Sequence, residues 1–93
     1  MRVGVLVLEI YLHGSSSLKE KRKVVRGLLD RCRTRYNVSA AEVEHQDLHQ
    51  RSALGFAAVA SAEAPLHALF DRILEDAESF AGSGVREESR EIL

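Results

Sequence analysis

The hydrophobic residues of this chain repeat with two different periods in turn, and the order of those periods limits what it can fold into. Residues 2–12 are apolar on both faces of a pleat. Val3, Val5, Val7 and Tyr11 fall on one face, and Leu6, Leu8, Ile10 and Leu12 on the other. A strand apolar on both sides belongs in the middle of a sheet or beneath a helix layer, because both faces must leave water. Glu9 is the exception, on the face of Val5 and Val7. The loop signal His13-Gly14-Ser15-Ser16 then ends the strand.

The period next lengthens to that of a helix. Ser17-Leu18-Lys19-Glu20 has the form of a capping box, in which Glu20 would reach back to the Ser17 amide. Downstream, Leu18, Val25, Leu28, Leu29, Cys32 and Tyr36 fall on one stripe at 3.6 residues per turn, and Asn37 is a plausible stop. Residues 38–45 are short, mixed and polar, as expected of an edge strand. Residues 47–51 read as a turn or bulge. From Ser52 to Ala60 the period is two again: Leu54, Phe56, Ala58 and Ala60 alternate with the smaller set Ala53, Gly55, Ala57 and Val59. That small set would let another layer approach closely. A second helix is predicted to begin near Ala64-Pro65, with proline in its first turn and a stripe of Leu66, Leu69, Phe70, Ile73, Leu74 and Ala77. After the turn Gly82-Ser83-Gly84, residues 85–93 are expected to form a charged edge strand.

The predicted order is β-α-β-β-α-β. An α+β, ferredoxin-like arrangement satisfies it: a four-stranded antiparallel sheet with two helices on one face, and the first and third strands central. At 93 residues the chain has room for one such domain, residues 1–93, and no second core.

Composition closes several alternatives. With 45% hydrophobic and 29% charged residues, the chain is not of a disordered class. Cys32 is the only cysteine, so an intramolecular disulfide, CxxC chemistry and a thiolate zinc cluster are excluded; it reads as a small buried hydrophobe, and a lone thiol fits a reducing cytoplasm. The apolar start is too short to cross a bilayer, is broken by Glu9, and is followed by no small-x-small cleavage pattern. It is expected as a buried strand of a cytoplasmic protein with no membrane partner.

The formal net charge of −1 conceals a division. Residues 1–50 hold nine basic and six acidic groups, and residues 51–93 four and eight. The first helix is the source, with Lys19, Lys21, Arg22, Lys23, Arg26, Arg31, Arg33 and Arg35 against Glu20 and Asp30. On a helical wheel Lys19, Arg22, Lys23, Arg26 and Arg33 share one flank, while Lys21 and Arg35 border the other side of the apolar stripe. A one-sided, arginine-rich face suits phosphate contacts. The second helix is acidic, with Glu63, Asp71, Glu75, Asp76 and Glu78 against Arg72, so the helices would alternatively pair within the fold or between subunits. The central strands offer only Phe56 and Tyr11, so the sheet is not a base-stacking platform of the kind RNA-recognition motifs use.

The turn after the second strand gathers Glu42, Glu44, His45, Asp47 and His49, with His13 near if the loops converge. Its spacing matches no established metal signature, and a solvated hairpin with Asp47 capping the turn explains it. No nucleophile elbow, P-loop or dinucleotide fingerprint is present, and no catalytic residue, metal or cofactor is predicted.

Ser17-Leu18-Lys19-Glu20-Lys21-Arg22, together with Asn37-Val38-Ser39, Ala41-Glu42-Val43, Gln46-Asp47-Leu48 and Gln50-Arg51, resembles the YlxP-like family of small bacterial proteins of unknown function. His49 departs from it, since members often carry tryptophan there. The resemblance covers essentially the whole chain and implies a ferredoxin-like fold. It also implies a bacterial cytoplasmic setting beside translation-initiation and ribosome-maturation genes. The family motifs map onto residues 17–22 and onto Glu42, Gln46, Asp47 and Arg51. Capping and core packing explain Ser17, Glu20 and Leu18. Lys21, Arg22, Asp47 and Arg51 have no sufficient folding role on this reading, although Arg22 or Arg51 pairing with Glu42 or Asp47 would lock the hairpin onto the helix.

The leading expectation is a non-catalytic module associated with RNA or the small ribosomal subunit, using Lys19, Lys21, Arg22, Lys23, Arg26 and Arg33. Two alternatives stand beside it: a homo-oligomer joined through edge strands, and a small-ligand or metal-binding protein using the turn His45/Asp47/His49.

Overall fold

A computed structural model describes residues 1–93. The elements follow the predicted order: β1 (Arg2–Tyr11), α1 (Leu18–Arg35), β2 (Ser39–Glu44), β3 (Arg51–Ala60), α2 (Glu63–Ala81), a single 3₁₀ turn (Gly82–Gly84) and β4 (Val85–Ile92). The sheet runs β2-β3-β1-β4, antiparallel throughout. The two strands with the most apolar sequence are the central ones. They pair along their full length, from Arg2 opposite Ala60 to Tyr11 opposite Arg51. This is the ferredoxin-like topology.

One face of the sheet carries the core. Leu6, Leu8 and Ile10 of β1 and Leu54 and Phe56 of β3 pack against Val25, Leu28, Leu29 and Cys32 of α1 and Phe70, Ile73 and Ala77 of α2. Phe70 lies directly over β1 where that strand has no side chain: a Cβ on Gly4 would come within 2.9 Å of its ring. Cys32 is fully buried, and burial pushes its thiol pKa up to about 11.

Local chemistry sets the helix ends. The Ser17 hydroxyl accepts from the Glu20 amide at 3.1 Å. The reciprocal bond lies one residue earlier than the capping box predicts, because the Glu20 carboxylate accepts from the Ser16 amide at 2.9 Å rather than from Ser17. Helix α2 ends at Gly82, which takes φ +61°, a conformation open to glycine at little cost.

The opposite face has no helix over it. It presents Val3, Val5 and Val7 of β1, Gly55, Ala57 and Val59 of β3, and Ala41 of β2. Val43 of β2 leans across Gly55, at 3.0 Å from where a Cβ would sit. The doubly apolar sequence of β1 is therefore covered on one side only. Both edges are ill suited to joining another strand. The β2–β3 pairing slips between Glu42 and Glu44, the β1–β4 pairing slips at Val7/Leu8, and β4 exposes Arg86, Glu87, Glu88 and Glu91. Bulges and edge charges discourage strand addition, which weighs against the edge-strand oligomer expected from sequence.

Candidate nucleic-acid interface

Helix α1 points its basic residues in four directions. Lys19, Arg22, Lys23 and Arg26 project outward at i, i+3, i+4 and i+7, forming one strip that lines a shallow groove with Gly27 and Asp30. None of the four makes an ion pair within 4.0 Å. Arg22 and Arg26 also line the cleft between α1 and β2, with Val25, Leu29, Arg33 and Glu42.

Lys21 is not part of this strip. The sequence reading set it among the phosphate-contacting residues, but its side chain is 0% exposed. Its position fits the inner stripe, four residues before Val25 and seven before Leu28. The aliphatic stem lies in the core, and the ammonium donates to the His45 carbonyl at 2.6 Å and pairs with Glu42 at 2.7 Å. The same Glu42 oxygen, Oε2, also accepts from the Ser52 hydroxyl at 2.6 Å. His45 has a left-handed φ of +64°, rare for a residue with a Cβ, and this conformation belongs to the turn whose carbonyl receives the lysine. The hairpin is thus locked onto the helix, as the sequence reading allowed, but by Lys21 rather than by Arg22 or Arg51.

Arg33 is also occupied. It donates to the Ala40 carbonyl at 2.5 Å and pairs with Asp30 at 3.4 Å, joining the helix to β2. Arg31 and Arg35, on the α2 side, converge on Asp76 at 3.5 and 3.4 Å. The Tyr36 hydroxyl donates to the same carboxylate at 2.7 Å. Burial and then Asp76 raise the Tyr36 pKa. The acidic helix therefore neutralises the far end of the basic one within the fold and leaves the near end free.

The polar turn does not assemble. Gln46, Asp47 and His49 are exposed, and no group of three His, Cys, Asp or Glu side chains converges as a metal site would require. The turn closes through the backbone, with the Leu48 amide donating to the His45 carbonyl at 3.1 Å, rather than through an Asp47 cap. Arg51 leaves the turn altogether. It pairs with Glu9 on the uncovered sheet face and lies over the Tyr11 ring at 5.5 Å. Glu9 is only 2% exposed, and Arg86 holds its second oxygen at 2.9 Å. The Arg51 hydrogen bond keeps the Glu9 carboxyl below its ordinary pKa; burial opposes this, and the Arg86 contact adds to it.

Sequence reasoning missed Asp76 and Glu9 as the centres of two further buried charge clusters. The only available signal was a single carboxylate on an otherwise apolar stripe or strand face.

The family model described as "Protein of unknown function (DUF503)" matches residues 3–88. The chain belongs to the DUF503 family. Within reach of that family, it is 36% identical over 78 residues to "Uncharacterized protein YlxP" of Bacillus subtilis (strain 168), covering 84% of this chain and 85% of that protein. Two solved designs share its architecture at low identity. The de novo designed protein Foldit4 aligns over 100% of this chain and 97% of its own, with TM-score 0.61 and 10% identity. The de novo designed protein LFR1 1 with ferredoxin fold aligns over 100% and 81%, with TM-score 0.55 and 16% identity. These likenesses establish the fold of this DUF503 chain. No helix is long and apolar enough to cross a membrane.

Proposed function

We propose that this DUF503 protein is a non-catalytic, cytoplasmic RNA-binding module that docks on ribosomal RNA through the outer strip of α1. The observation that supports this most is selective freedom from pairing. Arg2, Lys21, Arg31, Arg33, Arg35, Arg51, Arg86 and Arg90 are all paired with carboxylates in the fold, whereas Lys19, Arg22, Lys23 and Arg26 are paired with none, and the one other unpaired cation, Arg72, stands alone on α2.

The position of the strip adds a second reason. Lys19 sits in the first turn of the helix, where the macrodipole favours anions and disfavours a cation by about 0.3–1 kcal/mol, and Arg22 and Lys23 follow in the next turn. The dipole gives folding no reason for a cation at Lys19. A polyanion gains both the charge of the strip and the partial positive end of the helix. The strip spans about 10 Å along the axis at ~1.5 Å per residue, so it reaches phosphates rather than a single base.

The test is co-sedimentation with small ribosomal subunits and titration of ribosomal RNA fragments across a salt series. Four phosphate contacts predict a log–log salt slope of about −3. The double substitution Arg22→Glu/Arg26→Glu should remove most of the affinity and flatten the slope. Binding unchanged in that variant, or absent at low salt in the parent, refutes the proposal.

A further inference from the structure

We infer that the uncovered sheet face is closed by a second copy of this chain, sheet against sheet. The face is apolar at its centre and polar at its rim, as specific interfaces are. Val5, Val7, Gly55 and Ala57 form the middle, and Val59 and Val43 remain 58% and 47% exposed. Soluble monomers seldom leave a contiguous patch of this kind bare.

Size supports a protein partner. The strands are ten, ten, six and eight residues long. At ~3.3 Å per residue and ~4.8 Å between strands, they cover about 540 Å². Two such faces together remove roughly 1,100 Å² before side-chain relief is counted, just above the ~1,000 Å² that a specific interface needs.

The face's chemistry selects the partner. Its one concavity, where Val3, Ala57 and Val59 meet Val38 and Ser39 at the end of β2, is shallow and open, so it offers a small molecule little enclosure. Its two arginines, Arg51 and Arg86, are both committed to Glu9, so it has little to offer a polyanion. That same pairing means the buried carboxylate would stay satisfied when covered. The small side chain of Ala57, exposed at the middle of β3, lets a second sheet approach to the usual ~10 Å. A second copy is a partner known to present an apolar face of the same area, and a two-fold axis would make the contact self-complementary. This inference is independent of the basic strip on α1.

Sedimentation equilibrium of the full chain from low to several hundred micromolar tests it. The expected mass is twice the chain mass of 10.3 kDa. Ala57→Arg and Ala41→Arg, both at exposed positions of this face, should each weaken dimerisation at least 30-fold while circular dichroism shows the fold intact. Ala68→Arg, exposed on α2, should leave the dimer unchanged. A parent that stays monomeric at the highest concentration overturns the inference. So does a dimer that survives both sheet-face substitutions, since the contact would then lie at the edges or the helices. Should either variant fail to fold, the parent mass and the other variant still decide.

Discussion

Replacing Lys21 with methionine isolates the ion pair that ties α1 to the β2–β3 hairpin. Methionine preserves most of the aliphatic stem and its volume, so packing changes little. What goes is a fully buried ammonium at 2.7 Å from Glu42 and 2.6 Å from the His45 carbonyl. Removing one partner of a buried pair typically costs about 3–5 kcal/mol, because the other charge is stranded. Here Glu42 retains the Ser52 hydroxyl, and its side chain keeps 17% of its surface in contact with solvent. The expected loss is therefore lower, about 2–3 kcal/mol. For a domain of this size that corresponds to a fall in Tm of roughly 10–20 °C. Urea unfolding followed by circular dichroism at neutral pH measures it. A double-mutant cycle with Glu42→Gln should give a coupling energy of about 1–3 kcal/mol. A loss below about 0.5 kcal/mol, or strictly additive substitutions, would refute the claim that this pair locks the hairpin. The result bears on function too. Charge reversal at Lys21 would disturb folding and binding together, so the interface is better probed at Arg22 and Arg26.

Two further expectations concern the other buried clusters. Because the Glu9 carboxyl is held below its ordinary value of 4.5 in the fold, its ionised form stabilises the protein above that pH, and the contribution is lost as pH falls through the folded value. Glu9→Gln should be less stable than the parent at neutral pH, with the gap narrowing below pH 4.5 in thermal melts; a gap constant with pH would contradict this. Asp76→Ala removes the acceptor shared by Tyr36, Arg31 and Arg35 and should cost about 1–3 kcal/mol. It should also lower the raised Tyr36 pKa in an ultraviolet phenolate titration, so an unmoved titration would show that Asp76 does not act on that phenol.

The fold was readable because its signals are periodic. The doubly apolar β1, the alternation of β3 and the stripes of α1 and α2 each repeat over several turns or pleats, and tertiary packing agrees with all of them. The site was less readable because a helical wheel ranks residues by type. Lys21 sits at an inward position, but a lysine reads as a surface residue until a carboxylate and a carbonyl are found to meet it. Those partners, Glu42 and His45, lie 21 and 24 positions away. Arg51 likewise belongs to Glu9 across the β1–β3 register. Lys19, Arg22, Lys23 and Arg26 were placed correctly on the exposed flank because nothing in the fold competes for them. Both faces of β1 read as apolar in the sequence, and the two helices, on one face as expected, cover only one of them.

The basic strip and the bare sheet face lie on opposite sides of a two-layer molecule, one on the outside of the helices and the other beneath the strands. Neither surface obstructs the other. In a pair joined sheet to sheet, the two strips would point away from each other. With sheets ~10 Å apart and each helix axis about as far again from its sheet, some 30 Å would separate the helix axes and about 40 Å the strips on their outer sides. Such a particle would be a two-headed bridge. It could not place both heads on one short phosphate run, but it could clasp two distant strands of a folded RNA, with the second attachment strengthened by the first.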